Sequence, residues 1–111
     1  MNHHQYCQFI DDNYTPFNPD LYTFHEDILA PEFVRAVRDK SAAAIKSFCQ
    51  EVHPGGFVFD MCKPRFCSEL LDEVACFETW CKRSAVGVVR PNSMNNYGAV
   101  LDTFGFQPFL Q

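Results

Sequence analysis

The sequence predicts an α+β chain built from two amphipathic helices and short strands. Three observations carry that expectation. Apolar residues recur at helical spacing over residues 31–52 and again over residues 64–81. A β-rich run, "GGFVFDM", lies between them. Residues 94–101 alternate in the manner of a strand.

The elements follow in chain order. Residues 1–30 show no clean periodicity and are expected to be an irregular N-terminal segment, with a short helical turn near residues 20–24. Within it "TPFNPDLY" is a turn-rich aromatic stretch, because Asn-Pro and Pro-Asp favour turns. The remainder, residues 31–111, is expected to form one domain. In its first helix Phe33, Val34, Val37, Ala44, Ile45, Phe48, Cys49 and Val52 share one face. Pro31 suits the first turn, where its missing N–H costs nothing. Arg35, Asp39, Lys40 and Lys46 fall off the stripe. "HPGG" is expected to end this helix, since Pro54 cannot continue it and Gly55 can form a left-handed cap.

A strand over residues 57–61 comes next, bounded by glycine behind and Pro64 ahead. In the second helix Cys67, Leu70, Leu71 and Val74 are expected to form the apolar face. Ser68, Glu69, Asp72 and Glu73 are expected to form the wet one, with Phe77 and Trp80 off the stripe. In the last strand Met94, Asn96, Gly98 and Val100 would face one way, and Asn95, Tyr97, Ala99 and Leu101 the other. Gly98 inside the run signals a bulge or a close approach. "TFGFQPFLQ" begins a further element.

Composition bounds the function. The chain has 111 residues, a size for one small domain. Hydrophobic residues make up 47% and aromatics 15%, with twelve Phe, which is a core-forming composition. The net charge of -5 argues against a phosphate-binding surface and so against nucleic-acid partners. No apolar run approaches the roughly 20 residues of a membrane span. The start lacks a basic n-region and an apolar h-region, so an intracellular protein is favoured.

The metal candidates are weak. Six cysteines without a secretory signal do not read as a disulfide scaffold. Zinc would need Cys62, Cys67, Cys76 and Cys81 to converge. At about 100° per residue, Cys67 and Cys76 point to opposite sides of one helix, while Cys67 and Cys81 fall on the apolar face. Reduced, buried thiols are the better reading. His3 and His4 sit in a terminus and read as neither tag nor site. "HED", His25 to Asp27, matches the first two ligands of an iron facial triad. His53 is the only downstream histidine, at the end of the first helix, so a solvated pre-helix turn is preferred.

The stretch "RPNSMNNYGAVLD", preceded by "GGFVFDM" and "FCSELLDEVACFETW", resembles the 2-oxoglutarate- and Fe(II)-dependent oxygenases. The nearest group is the 2-oxoglutarate and iron-dependent oxygenase domain-containing proteins, relatives of prolyl and lysyl hydroxylases. "LAPEFVRAV" extends the likeness more weakly toward Ile28. The resemblance implies a double-stranded β-helix, or jelly-roll, core with helices packed outside it. It implies Fe(II) and 2-oxoglutarate as cofactors and ascorbate as reductant. The implied reaction hydroxylates a substrate C–H as 2-oxoglutarate loses CO₂ to give succinate; the substrate is unknown, a protein being one candidate.

The same family plan places its iron ligands after the Asn-Asn-Tyr-Gly strand. A jelly roll needs on the order of 80 to 120 residues, while the helices take roughly 40 and the irregular start about 30. The chain is therefore expected to be the N-terminal, helical flank of a truncated jelly-roll domain, with neither catalytic nor metal-binding residues of its own and inactive alone. Asn95, Asn96 and Tyr97 are the candidates for a substrate-binding rim, since amides and a phenol can orient a polar group. The competing reading is that they pin a strand and turn, with the Tyr97 ring buried. A non-catalytic helical interaction module, or a fragment without independent function, is the alternative for the whole chain.

Overall fold

The structure is a computed structural model that describes residues 1–94 and 97–111. The chain divides into two compact units: Met1–Phe24 with Ser68–Gln111, and His25–Cys67.

The first unit is organised by two helices. Helix α1, His3–Asn13, corrects the expectation of an irregular start. A reciprocal capping box begins it. The Asn2 side chain accepts from the Gln5 N–H at 2.8 Å, and the Gln5 side chain accepts from the Asn2 N–H at 3.0 Å. Its apolar stripe is only Tyr6, Phe9 and Ile10, set among His, Gln and Asp, which is too short to stand out as periodicity. A 3₁₀ turn, Pro19–Tyr22, follows within the aromatic stretch.

Helices α2 (Pro31–Asp39) and α3 (Ala42–Phe48) belong to the second unit; helix α4, Pro64–Arg83, supplies the first unit with its long wall from Ser68 onward. The element was expected, but its faces were not. Glu73, Phe77 and Cys81 are buried, with Leu70 and Trp80 half-buried, while Cys67 is exposed and Leu71 is 70% exposed. The helix therefore turns its aromatic stripe inward and leaves an aliphatic residue wet. Phe77 and Trp80 carry more apolar area than the residues they displace, and burial scales with area.

The core of this unit is a relay of rings. Phe77 stacks on Phe104 at 4.1 Å, Tyr14 meets Phe77 and Trp80 edge-on at 5.3 Å, and Phe106 stacks on Tyr22 at 4.1 Å. Phe104 closes a 3₁₀ turn, Leu101–Phe104, that packs on α1, and a short helix α5, Gln107–Leu110, follows. Gly105 between them has φ +105°, and a Cβ there would lie 3.0 Å from the Tyr22 ring. Only glycine allows both the turn and the Tyr22–Phe106 stack.

In the second unit the single helix expected over residues 31–52 is three elements: α2 (Pro31–Asp39), α3 (Ala42–Phe48) and strand β1 (Gln50–His53). Lys40 breaks the helix with a left-handed φ of 50°, and the Ser41 hydroxyl caps α3 by accepting from the Ala44 N–H. "HPGG" is the turn of a hairpin and not a helix cap. Gly55 has φ 77°, and β1 pairs antiparallel with β2, Gly56–Val58. The expected strand over residues 57–61 thus begins at Gly56 and ends at Val58. Beyond it Met61 O accepts from the Ala30 N–H, and the Lys63 N–H donates to Ile28 O, both at 2.8 Å. Phe33, Phe48 and Phe59 form an aromatic cluster, with Phe33 and Phe59 stacked at 5.7 Å.

The described residues of the stretch 94–101 are not a strand. Met94 ends a turn, residues 97–100 are irregular, and Leu101 opens the 3₁₀ turn. Gly98 makes the close approach its position suggested: it has φ +92°, and a Cβ there would lie 3.3 Å from Pro91 Cγ.

The two units bury their side chains unequally. Val52, Phe57, Val58, Phe59 and Met61 of the second unit are each about half exposed, whereas Ile10, Phe77, Phe104 and Phe106 of the first are almost fully buried. Amides of β1 and β2 should therefore exchange with solvent by local opening, faster than the amides of α4 from Leu70 to Cys81. Native-state hydrogen exchange checks this, and equal protection of hairpin and helix would refute it.

Candidate functional site

The polar cassette of the sequence is a loop between α4 and the 3₁₀ turn at Leu101, tied down at its base. Helix α4 closes with Ala85 at φ 54° and a bond from the Val86 N–H to Cys81 O of 2.9 Å. The Tyr6 hydroxyl then donates to Gly87 O at 2.7 Å, holding the departing chain to α1. Arg90 Nη1 donates to Gly98 O at 2.7 Å and lies 3.5 Å from Glu78 Oε1 of α4. Asn92 Oδ1 accepts from the Met94 N–H at 3.0 Å, forming an Asx turn.

Of the candidate rim residues, Asn95 and Asn96 lie outside the described residues. Tyr97 is 85% exposed, which overturns the reading that its ring is buried, and Met94 beside the loop tip is 91% exposed. The phenol is free to donate or accept a hydrogen bond to a ligand.

Sequence reasoning missed the strongest polar constellation. Glu73, placed on the wet face, is fully buried on α4. Its Oε1 accepts from the Tyr14 hydroxyl at 3.0 Å, the Tyr22 hydroxyl at 2.6 Å and the Phe17 N–H at 3.1 Å. Its Oε2 accepts from the Asn18 N–H at 2.8 Å. Burial pushes both phenols well above the usual tyrosine range, and donation to Glu73 and the nearness of its negative charge push them further. A carboxylate with each oxygen engaged in this way is an anchor for the segment around residues 14–22, not a proton-transfer group. The signal was available in the spacing of Leu70, Phe77, Trp80 and Cys81, which brackets position 73 on one face.

The metal candidates do not assemble. His25 precedes the 3₁₀ turn Glu26–Ile28, exposed, and Glu26 pairs with Arg38 of α2. Cys67 is exposed and Cys81 buried, so Cys67 leaves the apolar face assigned to it; burial also raises the Cys81 thiol. Among the described residues no three His, Cys, Asp or Glu side chains come together in a way that could hold a metal ion. These residues therefore do not fit an iron centre. Among the same residues no helix is long and apolar enough to cross a membrane.

Comparison with known proteins gives a consistent answer. The family model described as OGFOD2-like domain matches residues 10–111. The 2-oxoglutarate and iron-dependent oxygenase domain-containing proteins CP2 and ICU11 of Arabidopsis thaliana are 38% and 40% identical, over 99% and 100% of this chain. The 2-oxoglutarate and iron-dependent oxygenase domain-containing protein 2 of Danio rerio is 34% identical over 87% of the chain. The chain spans 28% of the length of each Arabidopsis relative and 29% of the Danio one. No solved structure gives a significant match.

Two outcomes follow from the Glu73 anchor. Replacing Glu73 with Ala strands buried donors at about 1–3 kcal/mol each, so E73A should lose at least about 3 kcal/mol in a denaturant melt. E73A within about 0.5 kcal/mol of wild type would contradict the anchor. The second outcome concerns alkaline pH. Burial and the nearby Glu73 raise the Tyr14 and Tyr22 hydroxyls above the ordinary tyrosine range, so their contribution to stability is complete below about pH 10. It is lost as pH climbs beyond that toward the folded-state values. Phenolate absorbance of these two tyrosines should appear together with loss of circular dichroism, and ionisation well before unfolding would contradict the buried network.

Proposed function

The chain belongs to the OGFOD2-like domain family, and from that premise we propose that it is the helical flank of an Fe(II)- and 2-oxoglutarate-dependent dioxygenase that hydroxylates a substrate C–H, a protein being one candidate substrate. The observation that carries the reading is the family match across residues 10–111, together with relatives whose names specify iron and 2-oxoglutarate. Because the chain spans 28% of those relatives, the reading assigns the iron ligands and a jelly-roll core to other parts of the whole protein. Bound there, iron and 2-oxoglutarate would supply the oxidising power, with ascorbate keeping the metal reduced. This chain's own residues do something else. The Glu73 anchor and the ring relay hold α1, α4 and the Leu101–Phe104 turn as a scaffold. From that scaffold the loop presents Tyr97, with Asn95 and Asn96 beside it in sequence, as a polar rim that orients the substrate before C–H oxidation.

A second reading has one observation in its favour. Val37, Ile45, Val52, Phe57 and Met61 leave much apolar surface exposed in the second unit, which suits a non-catalytic interaction module. Turnover separates the two. The whole protein should form succinate from 2-oxoglutarate in an Fe(II)-dependent manner, and this chain alone should form none. H25A/D27A in the whole protein should retain turnover within about twofold, a change of about 0.4 kcal/mol in barrier. A whole protein without succinate formation would refute the oxygenase reading in favour of the interaction module. Loss of turnover in H25A/D27A with the fold intact would return His25 and Asp27 to the iron site.

A further inference from the structure

We infer that Arg90 is the positioning residue of the substrate rim: its guanidinium holds Tyr97 in place by binding the carbonyl of Gly98, the next residue along. This rests on the proposed role of Tyr97 at the rim.

Tyr97 is 85% exposed, so packing does not fix its ring. Its placement must come from the backbone on which it sits. That backbone is held directly behind it, where Gly98 O accepts from Arg90 Nη1 at 2.7 Å. Gly98 has φ +92° and lies so close to Pro91 that a Cβ would meet Pro91 Cγ at 3.3 Å. Residue 98 is therefore tied to Arg90 by a charge-assisted hydrogen bond and lies where a side chain would crowd Pro91, so the loop is drawn in at its neck.

Arg90 also faces Glu78 on α4, at 3.5 Å. Both side chains are about one-third exposed, at 33% and 35%, and the separation is long, so this pair contributes less than the shorter bond to the carbonyl. Its role is to aim the guanidinium. The base of the loop is fixed independently by Tyr6 on Gly87 O, so Arg90 governs the distal part without holding the helices together. Arginine suits the task because its planar fork offers several donors in fixed directions, so one group can serve a carbonyl and a carboxylate at once.

The test uses R90Q, E78Q and Y97A. Chymotrypsin cleaves after Tyr97 at a rate that reads the opening of the neck. R90Q in this chain should be cut there at least about tenfold faster than wild type, with cleavage after the buried Phe77 unchanged. E78Q should stay within about threefold at Tyr97, because the carbonyl bond remains. An unchanged rate in R90Q overturns the inference. So does equal acceleration after Phe77, which would make Arg90 a general stabiliser. E78Q opening as fast as R90Q would assign the neck to the ion pair and overturn the role of the Gly98 carbonyl.

In the whole oxygenase, with a library of proline- and lysine-containing peptides as probe, R90Q should raise the peptide KM several-fold. At saturating peptide, kcat should fall by much less than KM rises. If R90Q opens the loop but neither R90Q nor Y97A alters peptide-stimulated turnover, the rim reading fails and the positioning of Tyr97 stands. If Y97A raises the peptide KM while R90Q leaves cleavage unchanged, the rim reading stands and the inference fails.

Discussion

The first unit depends on one buried carboxylate. Taking the Glu73 charge out of water costs several kcal/mol, and nothing apolar offsets that. The offset is a set of hydrogen bonds to a charged acceptor, each contributing about 1.5–3 kcal/mol, from two phenols and two backbone N–H groups. The donors come from residues 14–22, whose prolines and turns leave their backbone without a ladder of its own. Glu73 thus satisfies an irregular segment in the way a strand partner would, and it does so from a helix. The dependence is mutual, because a helix carrying a buried carboxylate would be destabilised without that segment.

Around this anchor the aromatic rings set the register of the rest. Tyr22 is both a donor to Glu73 and the ring on which Phe106 stacks, so the polar and apolar parts of the core share a residue. Gly105 lets the chain turn sharply enough for Phe104 to reach Phe77 while Phe106 reaches Tyr22. A side chain at position 105 would break the stack and, through Tyr22, loosen the anchor. The last eleven residues therefore belong to the same structure as the first twenty-four.

Legibility in the sequence follows the range of each interaction. Helix α4 was visible because its periodicity is local, and the hairpin turn and the Lys40 break were misread because each is a choice between two local outcomes. Residues around 40 and 49–53 fit one helical stripe as well as two helices and a strand, and a capping Ser41 with a left-handed Lys40 decided it. The spacing around position 73 hinted at burial, but the hydroxyl partners that make it tolerable were invisible because they lie 51 and 59 residues away. Once a carboxylate is assumed to be wet, the aliphatic stripe of α4 looks better than the aromatic one, and the whole helix is rotated in error. Helix α1 was hidden by composition, since its cap is formed by Asn2 and Gln5, the second of which is a weak signal without an apolar run behind it. The family resemblance, by contrast, is read from contiguous strings such as "RPNSMNNYGAVLD", which require no knowledge of what packs against what, and the family model matches residues 10–111.

The rim candidate shows the same contrast at the scale of one residue. Residues 94–101 alternate as a strand would, yet the described residues form a loop, held at its base by Tyr6 of α1, far outside the string, and at its neck by Arg90 on the Gly98 carbonyl. An exposed aromatic gains little from folding, and in isolation it would sample many orientations at an entropic cost to any ligand it meets. The chain reduces that cost through the backbone. Pro91 fixes one side of the neck, Gly98 permits the close approach on the other, and Arg90 joins them. Tyr97 can then remain in water and still be held, so the constraint that orders it lies in the neck of the loop and the scaffold beneath, leaving the ring itself free for contact.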